Sequence, residues 1–210
     1  SWSQIKQFIE DGGSIGQHTS THLHMPLNSN KYVKQDLKNS HKSFMKNIGF
    51  VPKLFAYPYG ETSLAVIELL KELNISHAFG QHSGVISSYE SHYYLPRFSL
   101  NENFGTSDRF MFAVNSFPLE IDQFSPADMF LKSNRRPIIE LTLIDNLKNN
   151  ELNCYSNPGG NWNSQEIIKI TPYKFQIKLE EDFLSGRSKL NCTSKIDDNW
   201  HWFGYQFLIK

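Results

Sequence analysis

The chain has 210 residues, and its 21 Lys and Arg balance its 21 Asp and Glu, so no global field favours a nucleic acid or an anionic membrane. Its apolar runs are too short to cross a bilayer as a helix, which excludes a membrane span of that kind. At 39% hydrophobic and 14% aromatic residues, the composition is globular, enough for one large domain or a domain with an appendage.

In chain order, Ser3 ahead of Ile5, Phe8 and Ile9 predicts a short capped helix closed by Asp11-Gly12-Gly13. A short strand around Ser14 to Gln17 should lead into a histidine-rich turn. Val33, Leu37, Phe44, Met45 and Ile48 recur at helical spacing, and Gly49 stops that helix. Leu54 to Tyr57 reads as a buried strand ending at Pro58-Tyr59-Gly60. Leu64, Ile67, Leu70 and Leu73 predict the next helix, His77-Ala78-Phe79 a strand, Arg97 to Leu100 a short strand, and about Ser107 to Val114 a helix. Strands alternating with helices imply parallel βα units, an α/β arrangement.

From about Phe117 the texture changes: Pro118, Pro126 and Pro137 punctuate it and helical patterns stop. Ile138 to Ile144, Glu166 to Ile170, Lys174 to Leu179 and Trp202 to Ile209 read as strands, and Asn157-Pro158-Gly159-Gly160-Asn161 as a turn. We therefore expect a domain over residues 1–117 and a small antiparallel β domain over residues 118–210. Trp162, Trp200, Trp202, Phe203 and Tyr205 suit either a packed β core or a sugar-stacking face, with core the expectation. The two cysteines, Cys154 and Cys192, both lie in this region. In a reducing compartment they would be separate thiols, and in an exported protein a disulfide bridging two strands.

The segment richest in chemistry is His18-Thr19-Ser20-Thr21-His22, with His24 just behind. Two imidazoles four residues apart on one side of a helical turn can reach one divalent ion, and Thr19 supplies a hydroxyl to hold the loop or a ring nitrogen. Taken alone, such a pair arises often by chance. Its setting adds weight, because it follows a predicted strand where βα folds place their sites. Phe55-Ala56-Tyr57-Pro58-Tyr59-Gly60 ends the next strand.

Together these segments resemble the polysaccharide deacetylase family, the NodB-homology esterases, whose His-(Ser/Thr)-x-x-His metal motif is followed by a Phe-Arg-x-Pro-Tyr-Gly-type groove motif. Phe79-Gly80-Gln81-His82-Ser83-Gly84 and Leu95-Pro96-Arg97-Phe98 are similar to later barrel strands of bacterial members, and Ser1-Trp2-Ser3-Gln4 to the helix before the metal histidines. Arg187-Ser188-Lys189-Leu190-Asn191-Cys192-Thr193 is similar to the tails of bacterial deacetylase-like proteins. The resemblance covers roughly residues 1–115. It implies an incomplete (β/α) barrel ahead of the β domain, with His18 and His22 as ligands of a divalent metal, zinc first. It further implies Tyr59 as the residue whose backbone N–H stabilises an oxyanion, and Tyr57, Pro58, Tyr59 and Arg97 as the substrate groove. The implied reaction is hydrolysis of N-acetyl groups, or O-acetyl groups, on a polysaccharide in the periplasm or outside the cell.

The departures carry their own expectations. The family's metal aspartate and base aspartate sit in a Thr-Phe-Asp-Asp-type strand before the histidines, but only seventeen residues precede His18 here, and Asp11 belongs to a turn. The third, acidic ligand is therefore expected to be absent from this chain, as in a protein whose beginning is missing. Ala56 stands where the family usually has the arginine that orients the base. No Leu-x-His general acid is evident; His82 and His92 are guesses for that role, each read first as a surface or loop histidine. An open barrel would expose sheet edge and apolar surface, so a homodimer or higher assembly and little or no deacetylase activity are expected. Two other readings stay open. One is a non-catalytic carbohydrate-binding or assembly protein on a degenerate deacetylase fold. The other is an unrelated metalloprotein with a two-histidine zinc site.

Overall fold

The structure, a computed structural model of the chain, describes residues 1–89, 91–147 and 151–210. Helix α1 (Trp2–Glu10) is capped by Ser1, whose hydroxyl accepts from the Gln4 N–H while the Gln4 side chain returns to the Ser1 nitrogen. The cap therefore lies two residues ahead of the expected Ser3, because only Ser1 has a glutamine at the third helical position to complete the reciprocal box. Helix α2 (Asn30–Ile48) starts at Ser29 and ends where Gly49 turns left-handed, φ 82°. It buries Val33, Asp36, Leu37 and Ser40. Its last turns leave the core: Met45 is exposed, and Phe44 meets the Trp2 ring edge-on.

Strand β1 (Leu54–Ala56), helix α3 (Leu64–Glu72) and strand β2 (His77–Phe79) form a βαβ unit, with Phe55 parallel to Ala78. The strand expected around Ser14 to Gln17 shrinks to a single parallel bridge, Gln17 to Phe55, while the one expected over Arg97 to Leu100 does not form and the bridge on that side joins Phe79 to Leu95. Pro96 ends the second, since it has no N–H to extend a ladder, and the first stops where Thr19 goes left-handed at φ 63°. Four stretches thus run in parallel order (Gln17, β1, β2, Leu95) as an open layer. Helix α4 (Ser107–Val114), capped by Thr106, follows as expected.

The rest is built on strands: β3 (Phe117–Pro118), β4 (Ile121–Ser125), β5 (Phe130–Leu131), β6 (Ile139–Leu143), β7 (Asn153–Ser156), β8 (Asn163–Ser164), β9 (Glu166–Lys169), β10 (Lys174–Lys178), β11 (Gly186–Ile196) and β12 (Asn199–Ile209). One antiparallel sheet runs β4-β6-β10-β9. The other runs β3-β12-β11-β7-β8, with β5 also on β12. The region is not wholly antiparallel, because the short strands β3 and β5 lie parallel to β12. The β11–β12 hairpin turns on Asp197 and Asp198, both left-handed at φ 48° and 65°, the geometry a two-residue hairpin needs. Cys154 and Cys192 face each other across β7 and β11 and are joined in a disulfide. Phe203, Tyr205 and Phe207 are buried, so β12 spends its aromatics mainly on the core, while Trp162 and Trp200 stay exposed.

The helical and strand regions share one hydrophobic core. The Tyr94 hydroxyl donates to the Gln206 carbonyl at 2.9 Å. At Gly204 the β12 backbone lies so close to Ser83 that a Cβ would meet its carbonyl oxygen at 1.8 Å. This seam brings the inner face of β11 and β12 against the turn that follows β1.

Candidate functional site

Gln17 sets the position of the histidine loop. Its N–H donates to Leu54 O, its carbonyl accepts from the Ala56 N–H, and its buried side chain donates to Pro52 O at 2.6 Å. The next residue, His18, therefore sits at the carboxyl end of β1, where its Nδ1 lies 2.7 Å from the Ala56 carbonyl. A carbonyl only accepts, so Nδ1 carries the hydrogen, and in the neutral ring Nε2 keeps its lone pair.

The path from His18 to His22 is a loop, not the helical turn that the four-residue spacing suggested. Thr19 and His22 are left-handed, φ 63° and 55°, and the His22 N–H donates to the Thr19 hydroxyl at 2.9 Å. Asp36, buried on α2, accepts from the Ser20 N–H and the Thr21 hydroxyl, each at 2.7 Å. The two rings nonetheless lie 4.8 Å apart, both exposed. Among the described residues, no group of three His, Cys, Asp or Glu is arranged to hold a metal ion. The donor set offers two imidazoles, one already oriented through its second nitrogen by a backbone carbonyl. That fits part of a zinc site.

Facing the pair is the Pro58–Gly60 turn. Tyr59 and Gly60 are both left-handed, φ 59° and 69°, and a Cβ on Gly60 would meet the Gln81 nitrogen at 2.6 Å. Gln206 of β12 donates to the Tyr59 carbonyl at 3.1 Å, while the Tyr59 N–H has no acceptor among the described residues. The Tyr59 ring is met edge-on by His22 at 4.5 Å and stacked by His24 at 4.0 Å. His24 in turn donates from Nδ1 to Glu61 at 2.6 Å. The Glu61 side chain is only 2% exposed. Arg187 of β11 places Nε 3.7 Å from the other Glu61 oxygen and its guanidinium 5.7 Å from the Tyr59 ring centre. A cavity of about 560 Å³ opens beside this group, lined by His24, Leu27, Glu61, Phe130 and Leu208 among others.

The remaining expected residues are placed as follows. Tyr57 is 1% exposed and donates its hydroxyl to Tyr93 O at 2.7 Å; burial pushes its ionisation above the ordinary tyrosine range. Pro58 is buried as well. Both shape the turn from beneath and have little surface to offer a ligand. Arg97 is exposed, with its N–H on His82 O at 3.0 Å. His82 is sealed beside the Tyr94 ring, and burial, then the Lys189 charge, lowers its pKa to about 3. His92 stacks on His77 at 4.9 Å. Neither His82 nor His92 is among the rings packed on Tyr59. Glu61 and Arg187 belong to the cluster but were not read from the sequence. Glu61 follows Pro58-Tyr59-Gly60 directly, which was the available cue, while nothing local marks Arg187.

This arrangement defines the chain as an α/β protein with a histidine pair at a strand end, set against a Pro-Tyr-Gly turn. Residues 1–78 match the family model described as polysaccharide deacetylase. The deacetylase PplD of Streptococcus pyogenes, solved with acetate, is similar in fold at a TM-score of 0.50 and 19% identity, over 54% of this chain and 50% of that one. A de-N-acetylase from Aggregatibacter actinomycetemcomitans aligns at 0.44 and 22%, over 51% and 50%. A family 4 carbohydrate esterase from Streptomyces lividans aligns at 0.35 and 22%, over 37% and 40%. The chain thus spans about half the length of these structures or less. No curated protein matches it.

Proposed function

We propose that this chain is the histidine-and-groove portion of a metal-dependent polysaccharide deacetylase, one that removes N-acetyl, or less readily O-acetyl, groups from a hexosamine polymer. The observation that carries the reading is the convergence of the His18 and His22 rings at 4.8 Å, with His18 Nδ1 committed to Ala56 O. That bond leaves Nε2 of His18 for a metal, and His22 would be the second ligand, with zinc the best match to imidazole donors. When bound, such an ion polarises an acetyl carbonyl and lowers the pKa of water.

The protein's own contribution is positioning. Tyr59, left-handed and with no acceptor for its N–H among the described residues, supplies a backbone donor of the kind that stabilises a developing oxyanion. Tyr57 and Pro58 hold that turn from below, and Arg97 stands on the exposed side as a substrate contact. The parallel stretches from Gln17 to Leu95 read as part of an incomplete (β/α) barrel, followed by a β domain after residue 117. A homodimer or higher assembly that covers the exposed apolar residues Phe8, Met45 and Phe50 suits this reading, as does a periplasmic or extracellular site for an enzyme acting on an acetylated polysaccharide.

Zinc titration by calorimetry, with and without His18→Ala and His22→Ala, tests the site. Weak binding lost in both variants supports it, and binding retained in both refutes it. Acetate release from chito-oligosaccharides by this chain alone should be slight. A second reading, a non-catalytic carbohydrate-binding protein on the same fold, is favoured by Ala56 and by the lack of a three-ligand group among the described residues. It predicts oligosaccharide binding that zinc does not alter.

A further inference from the structure

Arg187 and Lys189 alternate onto one face of β11, opposite Leu208 and Gln206 of β12, and that face lies on the Tyr59 turn. Gln206 holds the Tyr59 carbonyl. Lys189 Nζ donates to the Gln81 carbonyl at 3.0 Å, and the Gln81 backbone lies against Gly60. The backbone N–H of Arg97 donates to the carbonyl of His82, the neighbour of Gln81. Two cations, Arg187 and Lys189, therefore flank one turn, and the charge of Arg97 acts on Lys189. Among the described residues neither Arg97 nor Lys189 has a carboxylate partner, and the only nearby acid is Glu61, which already accepts from His24. The chain as a whole has no excess of positive charge, so the imbalance is local.

Such a grouping has a cost. Burial, then the charges of Arg187 and Arg97, holds the Lys189 ammonium below the ordinary lysine value. A bound anion would reverse that penalty, and arginine forks match carboxylate and phosphate oxygens in shape. We propose that Arg97, Arg187 and Lys189 form a subsite for an oxyanion carried by the polymer, a uronate carboxylate or a phosphodiester, next to the sugar whose acetyl group lies at Tyr59. The proposal rests on the deacetylase reading above and adds that the natural polymer is acidic.

The test is calorimetry of the whole chain at low ionic strength with three oligosaccharides. These are neutral hexa-N-acetylchitohexaose, a hyaluronan hexasaccharide, and an N-acetylhexosamine oligomer linked by phosphodiesters. At least one anionic oligomer should bind about tenfold tighter than the neutral one, equivalent to about 1.4 kcal/mol, and the stronger arm identifies the oxyanion. Arg97→Gln should bring the ratio of anionic to neutral affinity towards one, Lys189→Gln should do the same, and Arg97→Lys should keep most of the preference. Equal binding of neutral and anionic oligomers, or a ratio that Arg97→Gln leaves in place, overturns the subsite while the deacetylase reading stands. Failure to bind any of the three overturns both.

Discussion

Thr21 donates its hydroxyl hydrogen to Asp36 across 2.7 Å, from the middle of the histidine loop to the buried face of α2. The Ser20 N–H takes the other carboxylate oxygen at the same distance. One side chain on a regular helix therefore fixes a loop that contains two left-handed residues, and with it the angle at which His18 and His22 meet.

Asp36→Ala should remove both bonds and leave two donors without their acceptor. With Asp36 only 3% exposed, we expect a loss of about 2–3 kcal/mol in urea unfolding and weaker zinc uptake than wild type. Asp36→Asn, which keeps one acceptor oxygen, should fall between. Unchanged stability and metal affinity in Asp36→Ala would remove this residue from the account.

Much of this arrangement was legible in the sequence because its signals are local. The capped helices α2, α3 and α4 and strands β1 and β2 follow from apolar spacing and from stops such as Gly49. The histidine pair and the Pro58-Tyr59-Gly60 turn stand out by residue type alone. What escaped depends on distance along the chain. Arg187 reaches Glu61 from 126 positions away, and no periodicity encodes that. Strand β11 was hidden for another reason: its buried face is Ser188, Leu190, Cys192 and Ser194, so the alternation is one of size and burial, not of hydrophobicity. The helical turn expected at His18 to His22 failed because the spacing of four is also met by a loop, once Thr19 and His22 go left-handed.

The Cys154–Cys192 disulfide closes a segment with a sequence separation of 38 across paired strands. In the chain-entropy view a loop of that length is worth about 3–4 kcal/mol through its restriction of the unfolded chain. Replacing both cysteines by alanine, or unfolding under reducing conditions, should lower the urea midpoint accordingly. Free thiol measured in the unreduced, denatured protein would contradict the pairing outright.

The seam between β12 and the loop after β2 is set by backbone proximity, and Gly204 is its closest point. An alanine there places Cβ on the Ser83 carbonyl oxygen, and neither backbone can yield without moving its own layer. Gly204→Ala should cost about 1–3 kcal/mol, as overpacking does, and should loosen the Gln206 contact to Tyr59. Hydrogen exchange at residues 57–61 would report that second effect. Faster exchange there is expected, and wild-type protection together with wild-type stability would show that the seam is softer than its geometry implies.

His82 makes the stability of the protein depend on pH in a definite direction. Burial lowers its pKa from 6.5 to about 3, so between those values the unfolded chain binds a proton that the folded chain refuses. Stability is complete above pH 6.5 and falls as the pH drops towards 3, with a slope approaching 1.4 kcal/mol per pH unit from this one group. His41, also lowered by burial, adds to the trend, and the carboxylates contribute as well, so the measurement has to be a difference. His82→Phe keeps a flat ring beside Tyr94 and cannot titrate. Urea unfolding of the two proteins at intervals from pH 7.5 to 4 should show wild type losing stability faster than His82→Phe below pH 6.5, with the gap constant above it. Parallel curves throughout would mean that the imidazole is protonated in the folded protein, and that its pocket admits a charge.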